Sequence, residues 1–373
     1  MRVLFSTMSA YGHLHPLMPL ALAAQAAGDD VVVATGADLA DWVAACGVPH
    51  VTAGRGGSDT WTKEEHEGLA QWGALRPFHL FTTFHVPPKC DDLVEVGRSW
   101  KPDLIVHEET DFAGPLAAEL LGVPVVTHSY AAPARPVEER HQMLELLGPL
   151  WAERTTATPR ITGDLYLDAC PPAFQQSAAG SIPEVHAVRP TGFDGPPAAR
   201  PPWLADLARP AAYVTFGTVS AFSRPEVIEP ALAALSAELP GLVVTTGPNP
   251  VSSIQPPAGT VVERYLRQSL VLGDVDLVVS HGGAGTTLGA IEHGLPHVVM
   301  PQMPFSQGRN AATVEALSLG CHVPQGAYDE LAPAVRRVLD DGRFRENVGQ
   351  MRDSLQQLPA PEAVVEQLRA LLR

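Results

Sequence analysis

The pattern of hydrophobic and polar positions predicts short buried strands that alternate with helices along most of the chain. Apolar runs at residues 3–6, 31–35 and 103–107 are too short for helices, and each is followed by a segment with helical spacing of apolar residues. The same alternation restarts at residue 212. Because parallel strands joined by helices form a sheet covered on both faces, the pattern predicts an α/β protein with doubly wound sheets.

The alternation falls into two halves. A proline-rich segment over residues 190–210 predicts an interdomain linker, and residues 131–170 have a helical pattern. A length of 373 residues suits two domains. We therefore predict two Rossmann-like domains, residues 1–200 and 201–357, that face a cleft where ligands bind at the carboxyl ends of the strands. Residues 358–373 are predicted to form a helix that packs back on the first domain.

Residues 55–100 leave the regular pattern and carry many aromatic side chains. They include Trp61, Trp72, Phe78, Phe81 and Phe84. Such a segment can line an apolar ligand cleft or cap the hydrophobic core. Its departure from an otherwise regular α/β pattern favours the cleft.

A glycine-rich turn follows the apolar run at residues 276–279. It reads Ser280-His281-Gly282-Gly283-Ala284-Gly285-Thr286-Thr287, and a helical segment follows. Glycine lets the backbone approach a ligand, and the first turn of a helix offers unpaired N–H groups and the positive end of its dipole. The turn can therefore bind an anion such as phosphate, or it can be a tight connection without a ligand. His281 and the two threonines favour a ligand, because each can donate a hydrogen bond to phosphate.

The composition argues against some partners. The chain has 41 acidic and 25 basic residues, a formal charge of −16, which argues against a general nucleic-acid or anionic-membrane binder. An anionic ligand would have to be held by local dipoles and a few cations. Four scattered cysteines and the lack of a bilayer-spanning apolar stretch predict free thiols, no membrane insertion and a cytoplasmic location.

Ionisable side chains follow two strands of the first half. His13 lies in the loop after the first strand, and Glu108 and Asp111 follow the strand at residues 103–107. A histidine and a carboxylate at neighbouring strand ends can form a general base and its orienting partner. The alternative is that His13 caps a helix that starts at Pro16, and that the acidic residues are solvated loop charges.

The second half offers few other chemical motifs. Gly217 and Thr218 end a strand and can supply further phosphate donors, and Arg264 and Arg267 are either pyrophosphate cations or ordinary surface arginines. No P-loop, zinc-ligand spacing or dinucleotide glycine fingerprint occurs, which argues against a Rossmann oxidoreductase.

Several of these motifs together resemble a known family. Residues 281–286 and 301–311 resemble the nucleotide-sugar half of GT-B glycosyltransferases, and the most similar group is family GT1, the bacterial enzymes that decorate natural products such as antibiotics. Residues 12–16 resemble the family's acceptor-side loop, and residues 102–108 resemble the strand that carries its second catalytic residue. The resemblance spans nearly the whole chain.

The resemblance implies an inverting sugar transfer that needs no metal and no cofactor other than the nucleotide-sugar co-substrate. His13 would deprotonate an acceptor hydroxyl, with an acidic residue holding its ring. Members usually have aspartate where this chain has Glu108, so either Glu108 or Asp111 is the partner. The five aromatic residues above would bind a small apolar acceptor.

The resemblance also implies the residues of the donor site. Tyr265 would stack on the nucleotide base, with Arg267 where members usually have proline, and Ser306 stands where they often have an acidic residue that binds sugar hydroxyls. Because serine lacks that charged acceptor, we expect a deoxygenated or differently substituted sugar, as in dTDP-deoxysugars. The whole predicted set is Gly217, Thr218, Tyr265, Arg267, Gln268, His281, Gly283, Ala284, Gly285, Thr286, Ser306 and Gln307.

Two other functions compete with sugar transfer. A GT-B sugar-nucleotide epimerase would need acidic residues around the sugar instead of an open acceptor cleft. A helper protein that binds nucleotide sugars without catalysis would not need His13. The choice between dTDP and UDP, the acceptor, the kind of glycosidic bond and the formation of a homodimer stay open.

Overall fold

The computed structural model of the protein describes residues 1–130, 134–175, 182 and 184–373. The chain divides into two compact units, one formed by residues 1–191 with 358–373 and the other by residues 192–357. Each unit contains one parallel sheet with helices between its strands, which confirms the predicted pair of Rossmann-like α/β folds.

The first unit has a seven-stranded parallel sheet in the order β3-β2-β1-β4-β5-β6-β7. Its strands are β1 (Arg2–Ser6), β2 (Asp30–Thr35), β3 (His50–Thr52), β4 (Leu104–Glu108), β5 (Val125–His128), β6 (Leu165–Asp168) and β7 (Val185–Ala187). Its helices before the linker are α1 (Tyr11–Ala26), α2 (Ala40–Ala45), α3 (Lys63–Ala70), α4 (Arg76–His79), α5 (Val86–Trp100), α6 (Ala113–Leu121) and α7 (Val137–Ala152). A π-helical turn, Leu80–Phe84, separates α4 from α5.

The second unit has a six-stranded parallel sheet in the order β10-β9-β8-β11-β12-β13. Its strands are β8 (Ala211–Thr215), β9 (Gly241–Thr245), β10 (Thr260–Glu263), β11 (Leu277–Ser280), β12 (His297–Val299) and β13 (Gly320–His322). Its helices are α8 (Pro225–Leu235), α9 (Gln268–Val271), α10 (Ala284–Glu292), α11 (Ser306–Ala316), α12 (Leu331–Asp340) and α13 (Gly342–Leu355).

The last helix, α14 (Pro361–Ala370), belongs to the first unit and packs against α1. Val364, Val365 and Leu368 bury one face of α14. Arg369 follows on the same helix and forms an ion pair of 3.1 Å with Asp29, just after α1. An apolar face and a peripheral ion pair therefore hold the final segment on the first unit.

In both units the strand order reverses at a point where ligands of doubly wound sheets usually bind. In the first unit this point lies between β1 and β4, which pair directly through Ser6 and His107. In the second unit it lies between β8 and β11, which pair through Thr215 and Ser280. The residues that follow these four strands are therefore the candidates for ligand binding.

Two predicted elements were wrong in their extent. The helical pattern at residues 131–170 forms a helix only over Val137–Ala152, because the short segment Leu165–Asp168 joins the sheet as β6. Residues 131–133 lie outside the described part of the chain. The first helix begins at Tyr11 and runs through Pro16 instead of starting there, so His13 lies in a helical turn and not in a loop.

Within the described ranges, no helix is long and apolar enough to cross a membrane. None of the four cysteines, all of which lie in the described residues, forms a disulfide bond.

Candidate functional site

The structure brings His13 and Glu108 together at the point where the first sheet reverses its strand order. His13 lies in the first turn of α1, and Glu108 is the last residue of β4. Their side chains meet with His13 Nδ1 3.0 Å from Glu108 Oε2. The His13 side chain is 22% exposed, whereas that of Glu108 is 1% exposed. This is the arrangement of a general base with a buried orienting carboxylate.

Thr110 binds both oxygens of the Glu108 carboxylate, which sequence reasoning missed. Its backbone N–H donates to Oε1 at 2.9 Å, and its hydroxyl donates to Oε2 at 2.6 Å. The same hydroxyl oxygen lies 3.1 Å from His13 Nδ1. The only sequence signal for this role is a threonine two residues after the carboxylate, which is too common to be specific.

These contacts determine the charge of Glu108. Burial raises its pKa, but the charge and hydrogen bond of His13 and the two hydrogen bonds from Thr110 outweigh burial and lower the pKa below its usual range. Glu108 is therefore ionised at neutral pH and accepts the Nδ1–H of His13. Nε2 then carries the lone pair that can take a proton from a ligand.

Asp111, the other predicted partner of His13, is occupied elsewhere. Its carboxylate accepts a hydrogen bond of 2.6 Å from Ser6 Oγ and lies 3.3 Å from the ammonium group of Lys89. Lys89 is also buried and donates to the backbone oxygens at the ends of β1 and β2. Asp111 therefore holds the sheet edge together, and the structure favours Glu108 as the partner of His13.

The aromatic rings of Phe81 and Tyr130 lie beside His13. The centroid of the Phe81 ring is 6.1 Å from that of His13, and the centroid of Tyr130 is 5.4 Å from it. The guanidinium group of Arg135 lies over the Phe81 ring at 5.6 Å. Phe81 was predicted to bind the acceptor, whereas Tyr130 and Arg135 were missed because they follow a strand that carried no recognised motif.

Three of the other four predicted acceptor residues, Trp61, Phe84 and Trp72, contact aromatic rings other than that of His13. Trp61 and Phe84 pack edge to face with their ring centroids 5.0 Å apart. Trp72 is 42% exposed and stacks on His79, and Phe78 is buried. Of the predicted acceptor residues, Phe81 therefore has a ring contact with the candidate base in the described part of the chain.

Glu109 follows β4, next to the partner of His13, and is buried. Its carboxylate accepts a hydrogen bond of 2.5 Å from the hydroxyl of Tyr166. Burial raises the pKa of Glu109 to about 7, despite the nearby charge of Arg135. The pKa values of these two adjacent glutamates are thus shifted in opposite directions, because only Glu108 has enough donors to outweigh its burial.

In the second unit, the glycine-rich turn leads directly into α10. Gly283 is the residue before the helix, and no side chain caps it. Ala284, Gly285 and Thr286 form the first turn, so their N–H groups lie at the positive end of the helix dipole. N–H groups in this geometry can bind an anion such as phosphate.

The ring of His281 is packed between two glycines of the predicted donor site. A Cβ atom on Gly217, which has φ +86°, would lie 2.8 Å from the ring, and one on Gly283 would lie 2.6 Å from Nε2. Only glycine allows this approach at either position. Burial lowers the pKa of His281 to about 4, so the ring is neutral, and its buried Nδ1 has no hydrogen-bond partner among the described residues. Thr218 follows Gly217 at the same edge.

Three other donor-site candidates lie around α9. Gln268 donates to the hydroxyl of Thr286 at 2.8 Å and so connects α9 to α10. Tyr265 is 43% exposed, and its hydroxyl donates to the backbone oxygen of Asp194 at 3.2 Å. Arg267 immediately precedes α9. The carboxylate of Asp194, which sequence reasoning missed, accepts from the backbone and side chain of Ser269 at 2.7 and 3.0 Å.

Ser306 and Gln307 begin α11. Gln307 is buried and accepts a hydrogen bond of 2.9 Å from the backbone of Gln302. Further along the helix, Asn310 donates to the backbone oxygen of Gly282 at 2.8 Å. These bonds fix α11 against the glycine-rich turn. In the described part of the chain, no group of three or more histidine, cysteine, aspartate or glutamate side chains could hold a metal ion.

Comparison with known proteins decides the family. Residues 22–216 match the model described as Erythromycin biosynthesis protein CIII-like, N-terminal domain, and residues 232–371 match the model of the corresponding C-terminal domain. The chain belongs to this family. It is a natural-product glycosyltransferase with the GT-B fold, as the motifs predicted.

Individual relatives agree with this assignment. The 4'-demethylrebeccamycin synthase of Lentzea aerocolonigenes is 29% identical, over 98% of this chain and 97% of the relative. The TDP-daunosamine transferase DnrS of Streptomyces peucetius is 28% identical, over 100% of this chain and 97% of the relative. The crystal structure of the Streptomyces sp. SF2575 glycosyltransferase SsfS6 complexed with thymidine diphosphate is 26% identical, with a TM-score of 0.78 over 99% of both chains. These relatives favour transfer over the epimerase and oxidoreductase alternatives.

The raised pKa of Glu109 makes the stability of this glycosyltransferase depend on pH. Its neutral form is favoured in the folded state, so stability falls as the pH rises from about 4.5, the ordinary value, to about 7. Glu109→Gln keeps an acceptor for Tyr166 and removes this loss. We expect the free energy of unfolding of the variant, relative to wild type, to rise between pH 5 and pH 8 by at most about 3 kcal/mol. Urea unfolding at the two pH values measures the difference.

The control for this experiment is Glu138→Gln, which changes an exposed glutamate in the first turn of α7. Its effect should be small and equal at both pH values. An effect of Glu109→Gln that is also the same at pH 5 and pH 8 would show that Glu109 does not titrate in this range.

Proposed function

We propose that this glycosyltransferase moves a deoxysugar from a dTDP-sugar to a hydroxyl group of a small apolar acceptor, with inversion at the anomeric carbon. The observation that carries the proposal is the 3.0 Å contact between His13 and the buried carboxylate of Glu108. A base of this kind is needed to activate a hydroxyl nucleophile, and it has no role in a protein that only binds a nucleotide sugar.

The reaction is a single displacement. His13 Nε2 takes the proton of the acceptor hydroxyl while Glu108 holds Nδ1–H and stabilises the imidazolium ion that forms. The acceptor oxygen attacks the anomeric carbon from the face opposite the diphosphate, and the bond between that carbon and the diphosphate oxygen breaks. A positioned base of this kind is typically worth about 10²–10⁴-fold in rate.

The leaving diphosphate gathers negative charge, which the second unit can stabilise. The N–H groups of Ala284, Gly285 and Thr286 lie at the positive end of α10, and neutral His281 and Thr218 are further donors at the same edge. Preorganised donors of this kind are each worth a few kcal/mol in a transition state. The proposed reaction uses these donors instead of a metal ion.

The expected donor follows from two observations. One relative is named a TDP-daunosamine transferase, and another was crystallised with thymidine diphosphate. In this chain Ser306 stands at the start of α11, beside buried Gln307, where the family often has an acidic residue. A serine binds sugar hydroxyls less strongly than a carboxylate does, which supports a sugar with fewer hydroxyl groups.

The acceptor site is proposed to include the rings beside His13. Phe81 and Tyr130 offer apolar surface next to the base, with Arg135 stacked on Phe81. Large aromatic surfaces suit an apolar aglycone, because such a ligand is held mainly by burial of its surface.

The role of His13 is tested by His13→Ala. We expect turnover to fall by about 10²–10⁴-fold, because the acceptor hydroxyl loses its base, while the affinity for dTDP stays unchanged. The measurements are the steady-state rate with a dTDP-sugar and calorimetric titration with dTDP. His186→Ala is the matched control, since His186 is exposed and hydrogen-bonded to Gln367 in α14. Undiminished turnover of the His13 variant would support the alternative of a binding protein without catalysis.

The role of Ser306 is tested by Ser306→Asp. A carboxylate restores a charged acceptor for sugar hydroxyls, so the ratio of kcat/KM for dTDP-glucose to that for a dTDP-deoxysugar should rise about tenfold or more. Ser306→Ala, which adds no acceptor, should leave the wild-type preference for the deoxysugar. Comparable wild-type turnover of UDP-glucose and dTDP-deoxysugars would overturn the proposed donor.

A further inference from the structure

We propose that Thr110 is a positioning residue that adapts the long side chain of Glu108 to its role beside His13. This inference rests on the proposed function of His13 as the base. It names a third member of that site, which acts on the reaction only through Glu108 and His13.

A glutamate at this position has more freedom than the aspartate that is usual in the family. It has one more rotatable bond, so its carboxylate can reach more positions from the end of β4. Thr110 removes this freedom, since its N–H binds Oε1 at 2.9 Å and its hydroxyl binds Oε2 at 2.6 Å. Two donors from one residue fix both the position and the plane of the carboxylate.

The same hydroxyl also contacts the base. Because it donates its hydrogen to Glu108 Oε2, its lone pairs are free to face His13 Nδ1 at 3.1 Å. The Nδ1–H is then shared between Thr110 Oγ1 and Glu108 Oε2, which lies at 3.0 Å. Both contacts hold the proton on Nδ1, so the lone pair of neutral His13 is at Nε2.

Several hydrogen bonds fix the turn that carries Thr110. It is fully buried, and the backbone N–H of Asp111 donates to the oxygen of Glu108 at 2.8 Å. The ring of His107 donates from Nδ1 to the same oxygen and to that of Asp111, both at 3.0 Å. The ion pair between Asp111 and Lys89 anchors the end of this turn. The hydroxyl of Thr110 therefore has a fixed position from which to orient Glu108.

The test compares Thr110→Val, Thr110→Ala and Thr110→Ser. Valine keeps the shape and the backbone N–H but loses the hydroxyl, alanine also loses the hydroxyl without adding bulk, and serine keeps it. The first readout is the tautomer of His13 at pH 8 by ¹⁵N NMR of histidine-labelled protein, with the signal assigned from His13→Ala. We expect Nδ1–H in wild type and in the serine variant, and a substantial Nε2–H population in the valine and alanine variants.

The second readout is turnover with the donor and acceptor pair that wild type uses. We expect kcat to fall about 10- to 100-fold for valine and alanine, with the KM for the donor unchanged and the loss largely restored by serine. When Glu108→Ala is already present, adding Thr110→Val should lower kcat by less than about twofold, because Thr110 acts only through Glu108. Thr313→Val is the matched control, since that hydroxyl donates to a carbonyl of its own helix, α11.

The outcomes separate this inference from the function on which it rests. If His13→Ala abolishes turnover while the valine and alanine variants keep the wild-type tautomer and kcat, the role of Thr110 is wrong and the base stands. If His13→Ala keeps turnover, the proposed base itself is wrong. An additive loss in the Glu108→Ala background would show that Thr110 acts independently of Glu108, which also contradicts the inference.

Discussion

The first unit depends on one constraint, the need to partner a buried carboxylate at the end of β4. Glu108 is almost inaccessible to water, and an unpartnered charge in such a position costs several kcal/mol. The protein meets this cost with His13 from α1 and both donors of Thr110. The same contacts that keep Glu108 charged also orient His13. The contacts that stabilise the buried charge are therefore the same contacts that fix the candidate base. Neighbouring Glu109 has fewer donors, and its pKa is raised.

The second unit has the same strand order, but the groups at the point where its sheet reverses are hydrogen-bond donors and not a buried carboxylate. Where its sheet reverses, the chain leaves uncapped N–H groups at the start of α10 and a neutral, buried His281 packed against two glycines. These are local dipoles without net charge. The chain has a formal charge of −16, so its overall electrostatic field repels an anion. Local dipoles of this kind can attract an anion despite that field. In the proposed reaction, these backbone and histidine N–H groups bind the diphosphate in place of basic side chains.

Much of this arrangement follows from the sequence, because it depends on local patterns. The alternation of short apolar strands with helices predicted the fold, and the glycine-rich turn at His281 predicted the start of α10. His13 and Glu108 follow neighbouring strands in the sequence pattern, which predicted that they lie close together. What could not be predicted depends on contacts between distant residues. Lys89 is a polar residue on α5 whose burial against Asp111 has no local signal. Strand β6 was not predicted because a run of three apolar residues, 165–167, fits a helix equally well. The contacts of Thr110 with Glu108 and of Tyr130 with His13 likewise have no signal in the sequence.

The central claim is that His13 activates the acceptor for one direct displacement at the anomeric carbon. The most direct measurement is the anomeric configuration of the product, determined by the one-bond carbon–hydrogen coupling at C1 in NMR, from a dTDP-sugar of known configuration. Direct attack by the deprotonated acceptor predicts inversion, so an α-linked donor should give a β-linked product. Retention of configuration would contradict the account, because it requires a second displacement or an attack from the face of the leaving diphosphate.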